Sequence, residues 1–320
     1  MPLVDQPLPE LLQYQGRNPK PSDFDSYWDD ALAEMEAVDP QIELIPHPIR
    51  GADFCEAFDL FFTGVGGSRV HAQYIRPKKV AKPGPAILRF HGYSGSAGDW
   101  TQKLHWSAGG FATASLDCRG QGGMSDDLGG ARGMTLRGHI VRGLDDPDPR
   151  KLAYRQMFLD TAQLAKIVGS FPEIDPTRLG ASGGSQGGGL TLACAALANI
   201  QRALPVFPFL CDYQRVWEMD LAKDAYDELK YFFRCFDPFH EREAEIFTRL
   251  GYIDCQHLAP RIRGEVLMAV GLMDTVCPPS SQFAAYNKIT SSKSLKIYPD
   301  FGHENLHQIN DIEWEFFSGL

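Results

Sequence analysis

No two of the seven cysteines (Cys55, Cys118, Cys194, Cys211, Cys235, Cys255, Cys277) form a Cys-x-x-Cys pair, and their number is odd. Zinc and dithiol redox motifs are therefore not expected. A free thiol in an apolar run behaves as a small hydrophobe, so the pattern reads as a reduced, cytosolic chain. No apolar run approaches the length of a membrane span. The run Met1-Pro2-Leu3-Val4-Asp5 lacks a basic region followed by an apolar one, so no signal peptide is expected. Positive charge is also scarce: 31 Lys and Arg against 41 Asp and Glu leave a net charge of -10. An acidic surface argues against nucleic acid or an anionic membrane as partner. Internal repeats and low-complexity segments are absent as well.

What is present is ordinary for a globular protein: 320 residues, 43% hydrophobic and 22% charged. That length suffices for one large α/β unit with a substantial core. Residues 21–36 read as an amphipathic helix capped by Ser22, with Phe24, Tyr27, Trp28, Leu32 and Met35 on its apolar face. Strands are expected near 42–49, 54–63 and 69–76. The last two flank Gly64-Val65-Gly66-Gly67, a hairpin signal. Further strands read at 86–90, 111–116, 203–210, 264–271 and 294–298. A helix reads at 150–170, bounded by Pro172 and Pro176. Strands alternating with helices imply an α/β fold, with a mostly parallel sheet, helices on both faces and an antiparallel edge. Residues 213–260 interrupt the alternation. They are aromatic, charged and helix-like, and read as a helical insertion over the carboxyl ends of the strands. Its aromatics read first as packing.

The most informative run is Leu179-Gly180-Ala181-Ser182-Gly183-Gly184-Ser185-Gln186-Gly187-Gly188-Gly189. It places Gly-x-Ser-x-Gly between a strand-like lead and a helix-like, alanine-rich tail, the context of a nucleophile elbow. Serine needs a base, normally a histidine oriented by a carboxylate. On α/β-hydrolase scaffolds the order is Ser, then Asp or Glu, then His. Of His240, His257, His303 and His307, His303 follows the last expected strand and is the candidate base. Asp274 follows the preceding strand, with Cys277-Pro278-Pro279 stiffening its turn. Asp212 is the alternative acid, and Asp300 reads as a turn residue. The backbone N–H groups of Gln186 and Tyr93 are the candidate oxyanion donors. His91 reads as a brace for the Tyr93 loop.

These motifs together resemble the acetyl xylan esterase/cephalosporin C deacetylase family, carbohydrate esterase family seven. Arg119-Gly120-Gln121, Gly183-Gly184-Ser185-Gln186-Gly187-Gly188 and His303-Glu304 match its signatures in order. His91-Gly92-Tyr93 matches its oxyanion loop, and Gly271-Leu272-Met273-Asp274 its acid segment. The resemblance covers nearly the whole chain. It implies an α/β-hydrolase fold over residues 1–320, with an N-terminal extension at 1–40 and the insertion at about 213–260. It implies Ser185, Asp274 and His303 as catalytic triad, Tyr93 and Gln186 as oxyanion donors, and Arg119 and Gln121 as supports. It implies no metal and no cofactor. Family members deacetylate short xylo-oligosaccharides and cephalosporin C, and are generally intracellular hexamers. The pattern departs at Asn305, where a glycine is expected. Two rivals stay open: a peptidase or long-chain lipase on the same fold, and a non-catalytic ligand receptor.

Overall fold

The structure, a computed structural model, describes residues 4–79, 81–128, 131–132, 139–221 and 224–320, with the backbone alone at 131, 132 and 224. Residues 1–3 of the N-terminal run and 222–223 of the helix-like stretch lie outside the described residues.

The chain opens with α1 (Leu8–Leu11) and α2 (Phe24–Glu36). The latter starts later than expected. Asp23, not Ser22, occupies the cap position, and no side chain caps the helix. Its buried face is Phe24, Tyr27, Trp28, Ala31 and Met35, with Leu32 half-buried at the margin. β1 (Glu43–Pro46), β2 (Cys55–Thr63) and β3 (Arg69–Pro77) form an antiparallel meander, and β2 and β3 pair through the expected glycine turn. β4 (Gly84–Phe90), α3 (Leu104–Ala108) and β5 (Ala112–Leu116) follow. Two short strands, β6 (Asp126–Asp127) and β7 (Ala131–Arg132), pair with each other as a separate two-stranded ribbon among the described residues. Then come α4 (Ala153–Gly169), β8 (Ile174–Gly184), α5 (Gln186–Leu197) and β9 (Arg202–Val206).

The stretch after β9 is helical: α6 (Tyr213–Glu218), α7 (Asp227–Phe236), α8 (Glu243–Leu250) and α9 (Cys255–Leu258). β10 (Glu265–Gly271), α10 (Pro279–Lys288), β11 (Lys293–Tyr298) and α11 (Ile309–Phe317) complete the chain. The main sheet runs β1-β2-β3-β5-β4-β8-β9-β10-β11. From β5 to β11 every neighbouring pair is parallel, and the first three strands supply the antiparallel edge.

Alternation along the strands divides the core between two faces. In β4, Ala86 and Leu88 join the large cluster with α2, α4 and α5, while Ile87 joins Trp106, Leu204 and Phe317 on the other face. β9 is shorter than its apolar run suggests. It ends at Val206, because Phe207 (φ 32°) and Leu210 (φ 66°) turn the chain out of the sheet. In the helical stretch Tyr226, Phe232 and Phe233 are buried, as packing requires, whereas Tyr231, Phe236 and Phe239 are exposed. Among the described residues no helix is long and apolar enough to cross a membrane.

Candidate active site

The loops at the carboxyl ends of β4, β8, β9, β10 and β11 converge on Ser185. β8 ends at Gly184 and α5 begins at Gln186, so Ser185 alone makes the turn, at φ 57° and ψ -119°. A side chain at such positive φ is strained. The surrounding backbone imposes it: Ser185 N–H donates to Val206 O (3.0 Å), and Phe209 N–H donates to Ser185 O (3.0 Å). The flanking glycines are a steric necessity. A Cβ on Gly183 would lie 2.5 Å from Phe90 O, and one on Gly187 2.1 Å from the same atom.

His303 sits in the loop after β11. Its Nε2 is 3.0 Å from Ser185 Oγ, and its Nδ1 is 2.8 Å from Asp274 Oδ2. Asp274 is fully buried, and its other oxygen accepts from Val276 N and Cys277 N, both at 2.8 Å. The carboxylate is thus held from behind by its own turn and can accept only the Nδ1 proton of the imidazole. That leaves Nε2 as acceptor for the serine hydroxyl. The ring of Phe207 packs against His303 at 4.6 Å between centroids.

The competing sequence candidates lie elsewhere. Asp212 accepts from Tyr14 Oη (2.8 Å), Arg17 N (3.0 Å) and Asn18 N (2.8 Å), so it anchors the N-terminal segment. His240 pairs with Glu243, and His257 Nε2 meets Asn18 O. His307 is exposed, and Asp300 lies in the turn that follows β11.

Gln186 opens α5, where a backbone N–H has no acceptor within the helix. Its side chain points the other way, into a buried amide cluster. Gln121 Nε2 donates to Gln186 Oε1 (2.7 Å), as does Tyr154 Oη (2.8 Å). Gln121 Oε1 accepts from Ser94 N (2.8 Å), next to Tyr93. His91 braces the same loop: Nδ1 bonds to Gly92 O (2.7 Å) and Nε2 accepts from Cys118 N (3.0 Å). Burial lowers the His91 pKa, which keeps the ring in that neutral, two-bond state. Farther along the loop, Ala97 N donates to Asp117 Oδ1 (2.6 Å). Burial alone would raise the Asp117 carboxyl, but hydrogen bonds from His71, Met124 N and Ala97 N hold it below the ordinary range. Arg119 makes a buried bidentate pair with Asp160 (both contacts 2.6 Å) and donates to Val65 O (2.8 Å), so it ties β5's exit to α4.

Asp274, Cys277 and His303 offer ligand atoms within 4.8 Å of one another, a donor set suited to a soft cation. Here the His303–Asp274 hydrogen bond occupies two of those donors. Asn305 lines a cavity of about 170 Å³ with Gly184, Phe207 and Leu306, beside the elbow.

The acetyl xylan esterase family model matches residues 1–320. The chain belongs to the acetyl xylan esterase family. It is similar to acetyl xylan esterase 1 from Thermoanaerobacterium sp. JW/SL YS485, with 55% identity, a TM-score of 0.94 and 98% of each chain covered. It is similar to the acetyl xylan esterase from Paenibacillus sp. R4, with 35% identity and a TM-score of 0.92 over 98% of this chain and 99% of that one. The acetyl esterase Axe7A of Xylanibacter ruminicola is 26% identical over 315 residues, which cover 94% of this chain and 67% of that protein. The fold of this esterase-family chain is accordingly the α/β-hydrolase fold, and the chain is a carboxylic ester hydrolase. Sequence reading missed three residues at the site: Tyr154, Phe207 and Glu228, whose carboxylate accepts from Tyr93 Oη. Tyr154 and Glu228 lie in helical runs that carry no motif, and Phe207 is hidden in a run that reads as strand.

Proposed function

We propose that this esterase removes acetyl groups from short acetylated xylo-oligosaccharides through an acyl-enzyme on Ser185. The observation that carries the reading is the hydrogen-bonded relay Ser185–His303–Asp274, at 3.0 and 2.8 Å, on a strained elbow. His303 Nε2 takes the Ser185 proton as Oγ bonds to the acetyl carbon. The N–H groups of Tyr93 and Gln186 receive the oxyanion. The C–O bond to the sugar breaks, and His303 returns the proton to the departing alkoxide. Water then repeats the sequence, and acetate leaves. Asp274 holds the tautomer and stabilises the imidazolium. No metal or cofactor enters these steps.

Cephalosporin C carries the same kind of acetate ester and belongs to the proposed range. The reading also carries a cytosolic location and self-assembly into a hexamer. Sedimentation of the purified chain tests the latter: a monomer at micromolar concentration removes it. For the activity, Ser185→Ala abolishes acetate release from acetylated xylo-oligosaccharides and from cephalosporin C. Near-normal turnover by the folded variant would sink the assignment. Among p-nitrophenyl esters the rate falls with acyl length beyond acetate; a rise with length would mark a lipase instead.

A further inference from the structure

We propose that Glu228, on α7 of the helical stretch between β9 and β10, is a positioning residue for the oxyanion hole, acting through the side chain of Tyr93. The inference rests on the acyl-transfer reading above, in which Tyr93 lends its backbone N–H to the oxyanion. That N–H belongs to the peptide joining Gly92 and Tyr93. Its direction follows from the torsions at those two residues. Gly92 has no Cβ and little preference of its own. The loop also contains Gly95 and Gly98, and Ser94 at φ 59°. Backbone propensity therefore does not aim this donor. Its peptide is held on the carbonyl side by bonds from His91 Nδ1 (2.7 Å) and Gly95 N (3.0 Å) to Gly92 O, and on the Tyr93 side by a tether on the side chain.

Glu228 supplies that tether. It is 2% exposed, and its Oε1 accepts from Tyr93 Oη. Its Oε2 accepts from Ile140 N (2.8 Å) and Val141 N (3.3 Å). A buried carboxylate is costly unless hydrogen-bonded, and bonds to a charged acceptor are the stronger kind. The carboxylate therefore pins phenol and backbone at a common node. The Tyr93 ring is held edge-on between His139 (5.4 Å, 78°) and Phe209 (6.0 Å, 66°). Phe209 N in turn donates to Ser185 O. One rigid path thus joins α7, the oxyanion loop and the elbow. The helical stretch is in this view part of the catalytic geometry.

The test compares Glu228→Gln, Tyr93→Phe and the double variant on p-nitrophenyl acetate, with kcat counted per serine titrated by a fluorophosphonate. Each single variant is expected to lose about tenfold or more in kcat, because a misaimed oxyanion donor stabilises only the transition state less. KM stays within about twofold. The double variant falls no further than Tyr93→Phe, and the pH profile keeps its midpoint, since His303 is untouched. Tyr231→Ala, exposed on the same helix, keeps its kcat. A Glu228→Gln enzyme with kcat per titrated serine within about twofold of the parent overturns the proposal. So does a double variant whose loss is the product of the singles, or a loss seen only as fewer titratable serines. If Glu228→Gln does not fold, Tyr93→Phe, which leaves the backbone bonds of Glu228 in place, carries the test. Failure of the underlying reading has a different signature: the parent chain itself neither hydrolyses the ester nor labels at Ser185.

Discussion

Gln121 and Gln186 face each other through reciprocal amide hydrogen bonds, Nε2 of Gln121 to Oε1 of Gln186 at 2.7 Å and the return bond at 3.1 Å. The same Gln121 oxygen accepts from Ser94 N. One buried side chain therefore sets the distance between the two segments that carry the proposed oxyanion donors, Tyr93 and Gln186.

Gln121→Leu removes that spacer while keeping similar volume. Ser94 N–H and the Gln186 amide are left short of partners, at about 1–3 kcal/mol for a buried unsatisfied group. Urea unfolding reads that loss. Kinetics on p-nitrophenyl acetate are expected to show kcat down about tenfold with KM nearly unchanged. A variant with lowered stability and normal kcat would confine Gln121 to a structural role.

Asp274→Asn separates orientation from fold. The asparagine oxygen can still accept from Val276 N and Cys277 N, so the turn survives. Its amide would face His303 Nδ1 and force the proton onto Nε2, the wrong tautomer for a base. A fall of about 10⁴-fold in kcat with a near-parental melting temperature is the expected result. Activity close to the parent would remove Asp274 from the relay.

Arg119→Met strands the Asp160 carboxylate in the core. Breaking a buried pair from one side costs about 3–5 kcal/mol. Urea unfolding measures it, and Arg119→Met with Asp160→Leu should recover much of the loss. Equal stability of the single variant and the parent would contradict the buried pair.

His257 governs part of the acid response. Burial, and secondarily Lys288, push its pKa down to about 3 from the ordinary 6.5. The folded state holds the neutral ring, so the unfolded chain binds the extra proton between those values. Its stabilising share is complete above pH 6.5 and is lost as pH falls toward 3. The slope is about 1.4 kcal/mol per pH unit for one proton. His257→Gln, which can keep the bond to Asn18 O, should flatten the stability profile between pH 6 and 4 by about that slope. Urea midpoints across that range check it, and an unchanged profile contradicts the assignment.

Much of the site was legible because its constraints are local. The elbow needs glycine at 183 and 187, since any Cβ there meets Phe90 O. His303 and Asp274 stood out because each follows an expected strand, and strand ends are where this layered fold gathers its loops. Secondary structure was read well wherever periodicity was strong, as in α4 and in β2–β3. It failed at β9, where a run read as continuous strand turns out of the sheet at Phe207, just before Pro208.

Between Asp212 and Asp274 composition offered only strand order as a guide. The fold separates them by what each carboxylate meets: Tyr14 and the backbone of Arg17 and Asn18 in one case, His303 in the other. Glu228 is 135 residues from Tyr93 in the chain and carries no motif. The sequence by itself determined the family, the elbow and the chain order of Ser185, Asp274 and His303, because short-range sterics and hydrophobic periodicity are written in neighbouring residues. Only the tertiary structure decided which carboxylates reach the site and what holds the oxyanion loop, because those contacts arise when packing brings distant, unpatterned side chains together.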